Sequence, residues 1–273
     1  MGDVIQTLAE ASEPIHGVTS HDDRLYVLRG NESEDQIEVY DSDSFCFLHC
    51  LHVPNLGFSV DIVASGRHHC AYVSDATNQS VHRVKLTGSA VTDWPVYDMP
   101  SCLSLTVKHS VLVTCHKASK IKEFTMSGQL LREMQLSQDI LLPWHTAQLS
   151  NGEFVVCHGD AGDPLHRVCL VNYDEQVLTS YGNHRGSGSQ LMNTPSHIAV
   201  DRSNFVFVLD RNNWRVLLLC PMLKYVREVI SSEELEWKPF RMSLDVKRGR
   251  LYVAVNKPEH RKYTAGRIVV VSV

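Results

Sequence analysis

A short apolar core recurs six times along this chain of 273 residues: Leu25-Tyr26-Val27, Ala71-Tyr72-Val73, Val111-Leu112-Val113, Phe154-Val155-Val156, Val206-Phe207-Val208 and Leu251-Tyr252-Val253. The closing valines stand 46, 40, 43, 52 and 45 residues apart. Self-similarity at that period marks a propeller or a solenoid, whose units bury their apolar faces only against neighbours. Each core follows one apolar stretch and precedes another across a polar turn, as at residues 36–40, 81–84 and 215–218. A further stretch closes each of the first five units, at 45–53, 91–97, 130–136, 176–181 and 225–230. Four short strands per unit make a blade, not a helical repeat.

Strand counting at the two ends of the chain leads to the expectation that the units close into a ring. From Val253 to the C-terminus is 20 residues and from the N-terminus to Val27 is 27, which together make one more period. The sixth unit has no fourth stretch of its own, and residues 4–9 are a spare strand able to supply it. Closing a blade with the two ends of the chain removes open sheet edges that would invite aggregation. The expected fold is all-β: a six-bladed propeller of four-stranded antiparallel blades, the sixth closed by the N-terminal strand. It is expected to form a single domain over 1–273. The blades are placed at about 15–55, 56–99, 100–142, 143–194, 195–238, and 239–273 with 1–10.

Composition narrows the class of function. Apolar residues make up 43% and charged residues 21%, as in ordinary globular proteins, which argues against a disordered or collagen-like chain. No stretch approaches the roughly 20 apolar residues of a membrane helix. The N-terminus carries Asp3 where a signal peptide needs basic residues and an apolar run, so a cytoplasmic protein away from the membrane is expected. The eight cysteines lack C-x-x-C spacing, and several sit in apolar runs, where a reduced thiol packs as a small hydrophobe. Net charge is −5, but residues 1–61 hold twelve acids and two bases while residues 238–267 hold nine bases and two acids.

The fifth unit carries the most specific motif. It reads Pro195-Ser196-His197-Ile198-Ala199-Val200-Asp201, then Val208-Leu209-Asp210-Arg211-Asn212-Asn213-Trp214-Arg215-Val216. The second unit repeats it more weakly as Val73-Ser74-Asp75-Ala76-Thr77-Asn78-Gln79-Ser80-Val81, with Ser80 in place of the arginine. This resembles the NHL repeat, as found in the C-terminal propeller of tripartite-motif NHL proteins or in free-standing invertebrate-type relatives. No Trp-Asp or Gly-Gly dipeptide occurs, so WD and kelch propellers are disfavoured. Asp75, Asn78, Asp210 and Asn213 are expected to be structural, because short polar side chains bond to nearby backbone in tight turns. No RING, B-box or coiled-coil region is present, so a ubiquitin-ligase role would need a partner or residues upstream.

Candidate chemistry lies in two places. Pro14-Ile15-His16, Pro143-Trp144-His145 and Pro195-Ser196-His197 open inner strands, with Cys102 and Arg241 at the corresponding points of units three and six. His16, Cys102, His145, His197 and Arg241 are therefore expected to ring one channel mouth. Three converging imidazoles would suit zinc, and the peptide amidating lyase, a related propeller, offers such a precedent. That zinc-dependent channel enzyme is kept as an alternative, and the leading expectation is polar lining with no metal, no cofactor and no catalysis. Cys115-His116 and Cys157-His158 are strand neighbours pointing to opposite faces, so they make no nucleophile–base pair.

The second place is a rim of loops on one face. Arg29, His116, Lys117, His158, His184, Arg185, Arg211, Lys257, His260, Arg261 and Lys262 fall there. Cations mixed with an aromatic at Tyr263 fit single-stranded RNA, and some propellers of the resembling family bind RNA through this face. The acidic first unit, however, lies beside the basic sixth one, which opposes phosphate affinity. The expected activity is binding of a protein partner through one face, with single-stranded RNA as the alternative and no DNA or membrane.

Overall fold

The computed structural model describes residues 2–30, 35–88, 90–260 and 262–273. Its strands form six four-stranded antiparallel sheets. Blade one comprises Ile15–His21, Arg24–Gly30, Asp35–Asp41 and Phe47–His52, from the axis outward. Blades two to five follow the same meander, with inner strands Ser59–Ser65, Pro100–Leu105, Pro143–Gln148 and Pro195–Val200. Blade six runs Lys238–Asp245, Arg250–Glu259, Lys262–Ser272 and then Val4–Ala11. Inner strands of successive blades touch, and that of blade six touches that of blade one, so the ring is closed.

Six apolar clusters fill the six gaps between blades. Val155, Cys157, Ile198 and Val208 occupy the gap between blades four and five, and Leu209, Val216, Met242 and Val253 the next. Period-two alternation in each strand supplies both faces, since every blade is covered by a neighbour on either side.

Closure follows the expected bookkeeping. Val4–Ala11 pairs antiparallel with Lys262–Ser272, matching Thr7 with Val269 and Leu8 with Ile268. Two buried polar side chains weld this joint to blade one. Asn256 accepts from the Ile15 N–H at 2.8 Å and donates to the Ile15 carbonyl at 2.8 Å, standing in for a sheet partner across the blade gap. Arg29, only 1% exposed, donates to the carbonyls of Ala9, Glu13 and Gly266 and to the Glu38 carboxylate. Arg29 therefore corrects the expected binding rim: it is a buried keystone, because three carbonyls of the closing segment converge on it.

The basic stretch of blade six also departs from expectation. It was read as a loop, but Lys257 pairs with Ala265, Pro258 with Tyr263 and Glu259 with Lys262. The hairpin continues past Asn256, where pairing with the inner strand begins, and projects roughly 13 Å from the blade at about 3.3 Å per residue. Arg261 lies outside the described residues.

Candidate functional site

All six inner strands carry a register irregularity at the same place, between Ile15 and Gly17, Ser59 and Asp61, Pro100 and Cys102, Pro143 and His145, Pro195 and His197, and Pro239 and Arg241. A bulge there re-aims two consecutive side chains. The first of each pair is His16, Val60, Ser101, Trp144, Ser196 or Phe240. The second is Gly17, Asp61, Cys102, His145, His197 or Arg241. The alignment of histidines by their prolines is thereby corrected by one residue. Ile15, not Pro14, takes the place of Pro143, so His16 matches Trp144, and Gly17 matches His145. A Cβ at Gly17 would lie 2.8 Å from the Ile62 side chain, so blade one presents backbone alone at this level.

The remaining five second-position residues meet at the axis, fully or almost fully buried. Asp61 of blade two reaches across to His197 of blade five at 3.5 Å and to Arg241 of blade six at 3.5 Å. The Leu103 N–H donates to Asp61 Oδ2, the oxygen that also faces His197, over 3.0 Å. Burial raises the Asp61 carboxyl, but His197 and Arg241 outweigh it and hold the group below its ordinary range. His145 and His197 stack at 4.0 Å with 15° between their planes. His145 Nδ1 accepts from the Ile198 N–H, which leaves Nε2–H to donate to the Leu103 carbonyl at 3.1 Å. Burial, with His197 alongside, pushes its imidazole down to about 3, so it stays neutral.

The three-imidazole zinc arrangement is not formed. Both His145 nitrogens are spent on backbone, and His16 turns to the Ser59 hydroxyl at 3.1 Å and the Phe58 ring at 5.4 Å. Below this level the channel opens into a cavity of about 210 Å³ bounded by Thr19, Ser104, Gln148 and Ser243 among others.

Above the plug, the first-position residues build a mouth that the sequence reading passed over. Trp144 packs on His116 at 4.4 Å. Arg211 lies over the Phe240 ring at 4.6 Å and near the Trp144 ring at 5.9 Å, and donates to the Tyr263 hydroxyl at 3.0 Å. Phe240 and Tyr263 meet edge to face at 6.0 Å, so the projecting hairpin leans back over the channel. Phe58, 58% exposed, stands on the opposite side of the mouth beside His16. The available signal was the residue between Pro and the polar third position, in Pro143-Trp144-His145 and Pro239-Phe240-Arg241.

The expected rim is sorted by burial. Two further members, His116 and His158, are corrected: both are buried. His116 Nδ1 donates to the Pro143 carbonyl, and His158 Nε2 accepts from Arg167. Burial and Arg167 push His158 down to about 4. Lys117, His184, Arg185, Lys257, His260 and Lys262 are exposed, and Arg211 is half-buried. The same face carries exposed Glu233, Glu236 and Glu259, so among the described residues the cations form no continuous track.

The turn residues sit where their chemistry is used. Asp210 accepts from the Asn193 N–H, the Asn213 amide and Arg215 Nε. Asp75 accepts from the N–H groups of Gly57 and Asn78, from the Asn78 amide, and faces His82 Nε2 at 3.2 Å.

No protein-family model and no curated relative matches this chain. Its shape is shared by solved structures of low sequence identity. A chain of the nidogen/laminin complex matches with a TM-score of 0.67 at 13% identity, over 85% of each chain. A catalytically inactive virginiamycin B lyase from Staphylococcus aureus, solved with quinupristin, matches at 0.66 and 10% identity over 97% of each chain. The Swd1 propeller of Myceliophteria thermophila matches at 0.60 and 12% identity, over 95% of this chain and 83% of that one. Each shares the propeller fold. Identities this low carry fold and nothing finer.

Proposed function

We propose that the chain is an NHL-type propeller whose task is to bind a protein partner at the channel mouth, without catalysis of its own. The observation that carries this reading is Arg211 held between Phe240, Trp144 and Tyr263 in a half-buried cluster. Trp, Tyr and Arg in such settings dominate interface energetics, because large rigid surfaces bury with little loss of conformational freedom. Arg211 is pre-ordered by the rings, so little further ordering is needed on association. The NHL reading is supported by the Asp210–Asn213–Arg215 turn and its weaker copy in blade two. A cytosolic setting is supported by eight free cysteines. Two of the fold neighbours also suit a binding scaffold, one of them coming from the nidogen/laminin complex.

RNA is the second reading, because a base stacks on Trp144 or Phe240 as well as a side chain does. Salt and nuclease separate the two. Immobilised chain is exposed to lysate with and without nuclease, beside Arg211→Ala/Phe240→Ala and Lys257→Glu/Lys262→Glu variants of unchanged melting temperature. The protein-partner reading expects a retained protein that survives nuclease and is lost with the aromatic variant. Retention that disappears with nuclease, falls steeply with salt and is lost with the lysine variant replaces it with RNA. Retention by the aromatic variant equal to wild type removes the mouth from the argument.

A further inference from the structure

We propose that Asp61, Cys102 and His197 form a binding site for a divalent transition ion of the zinc class, clamping blades two, three and five together across the axis. Their donor atoms lie within 4.8 Å of one another and all three side chains are buried. Carboxylate oxygen, thiolate sulfur and imidazole nitrogen are the zinc donor set. A tetrahedral shell with bonds of about 2.0–2.3 Å separates its ligands by roughly 3.3–3.5 Å, so modest side-chain rotations close the cluster. The alternative with three imidazoles shares only His197 with this site.

The surroundings already hold these groups for a ligand. Asp61 has its Oδ2 fixed by the Leu103 N–H, while its Oδ1 makes no hydrogen bond among the described residues and faces Arg241 Nε at 3.5 Å. His197 turns Nε2 toward Asp61 Oδ2 at 3.5 Å, its Nδ1 is buried without a hydrogen bond among the described residues, and the ring is held by its stack on the pinned His145. Buried polar atoms without partners are rare in folded proteins and call for a water or an ion. Neighbours that orient ligands from behind are a regular part of metal sites.

Charge balance is workable. Binding displaces the Cys102 thiol proton to solvent, and thiolate plus carboxylate then carry the two negative charges that match the ion. Arg241, whose Nε lies 3.5 Å from Asp61 Oδ1, opposes the ion. That guanidinium does not depend on Asp61 alone, since it donates to the Val60 and Phe240 carbonyls and lies 4.5 Å over the Phe240 ring. Its presence makes the site weaker than a structural zinc finger and selects a dianionic ligand pair.

The test is cobalt titration of a Cys46→Ser/Cys50→Ser chain, which removes the two exposed thiols. The expected result is a thiolate-to-cobalt charge-transfer band that saturates at one ion per chain, is displaced by zinc, and accompanies a rise in melting temperature with added metal. Adding Cys102→Ser should abolish the band and the rise. No band in the parent chain, or a band unchanged by Cys102→Ser, overturns the site. Should the Cys102 variant fail to fold, His197→Gln must weaken cobalt at least tenfold. Unchanged affinity there also overturns it.

Discussion

In blade five the turn carboxylate of Asp210 meets one backbone N–H, the Asn213 amide and the guanidinium of Arg215, at 2.7, 2.7 and 2.9 Å. In blade two the corresponding Asp75 meets two backbone N–H groups and the Asn78 amide at 2.8–2.9 Å. Its side-chain partner in place of Arg215 comes from elsewhere. Ser80 occupies the strand position of Arg215, and His82, two residues further along the same face, reaches back to Asp75. The two acids consequently sit on opposite sides of the ordinary carboxylate range. Deep burial raises Asp210 despite its three donors. Asp75 is also raised by burial, but His82 and the Asn78 and Gly57 N–H groups outweigh that and hold it at about 2. Backbone donors, which cannot move away, anchor a carboxylate that has no arginine.

The largest effect is expected where one cation alone neutralises a buried acid. Arg215→Ala leaves Asp210 without its counter-charge and the Leu191 carbonyl without its donor, and should lower stability by about 3 kcal/mol in denaturant unfolding. A loss below about 1 kcal/mol would mean that Asp210 simply takes a proton and that Arg215 is dispensable.

Acid separates the blades next. A carboxylate whose folded pKa lies below its unfolded value adds stability above the unfolded value and loses it as pH falls through the folded one. Asp75, at about 2 against an unfolded value near 3.9, should therefore contribute roughly 2–3 kcal/mol at neutral pH that fades between about pH 4 and pH 2. Asp210 has the opposite sign: its raised value makes ionisation a cost, so acidification removes no stability through it. Unfolding curves of wild type and Asp75→Asn should converge as pH falls across that window. Parallel curves would show that Asp75 is not the acid-sensitive latch.

His82→Ala should cost less, about 1 kcal/mol, because three of the donors to Asp75 remain in place. A loss equal to that of Arg215→Ala would make the imidazole the essential partner of Asp75 and erase the distinction between the blades.

This contrast also shows what a sequence alone reveals. Asp75, Asn78, Asp210 and Asn213 were readable because their bonds run within a turn of three residues, where residue type and spacing decide the chemistry. The six apolar cores and the spare N-terminal strand were readable for the same reason: repetition and strand counting are properties of the chain. His82 was not, because a side-chain partner displaced by two positions breaks the motif while preserving the contact. Arg29, His116 and His158 were read as surface residues since they end strands, and their burial is decided by the neighbouring blade or the closing segment. Asp61 was missed altogether. The signal was a lone acid inside the apolar run Ser59-Val60-Asp61-Ile62-Val63, facing partners 42 to 180 residues away.

The smallest expected effect is the sharpest on mechanism. Ser80→Arg installs the arginine of blade five at the same register position in blade two, where Ser80 is buried and its hydroxyl lies 3.4 Å from His82 Nε2. Alone, the change should alter stability by no more than about 0.5 kcal/mol, because the new guanidinium and His82 compete for one carboxylate already served by backbone. Combined with His82→Ala, it should recover most of the 1 kcal/mol that the alanine removes, since the guanidinium then has the acceptor to itself. Recovery in this double variant, measured as a coupling energy in a double-mutant cycle, would show that the two blades use interchangeable side-chain partners on one turn. Simple addition of the two single effects would show instead that blade two is shaped around an imidazole, and that its likeness to blade five ends at Asn78.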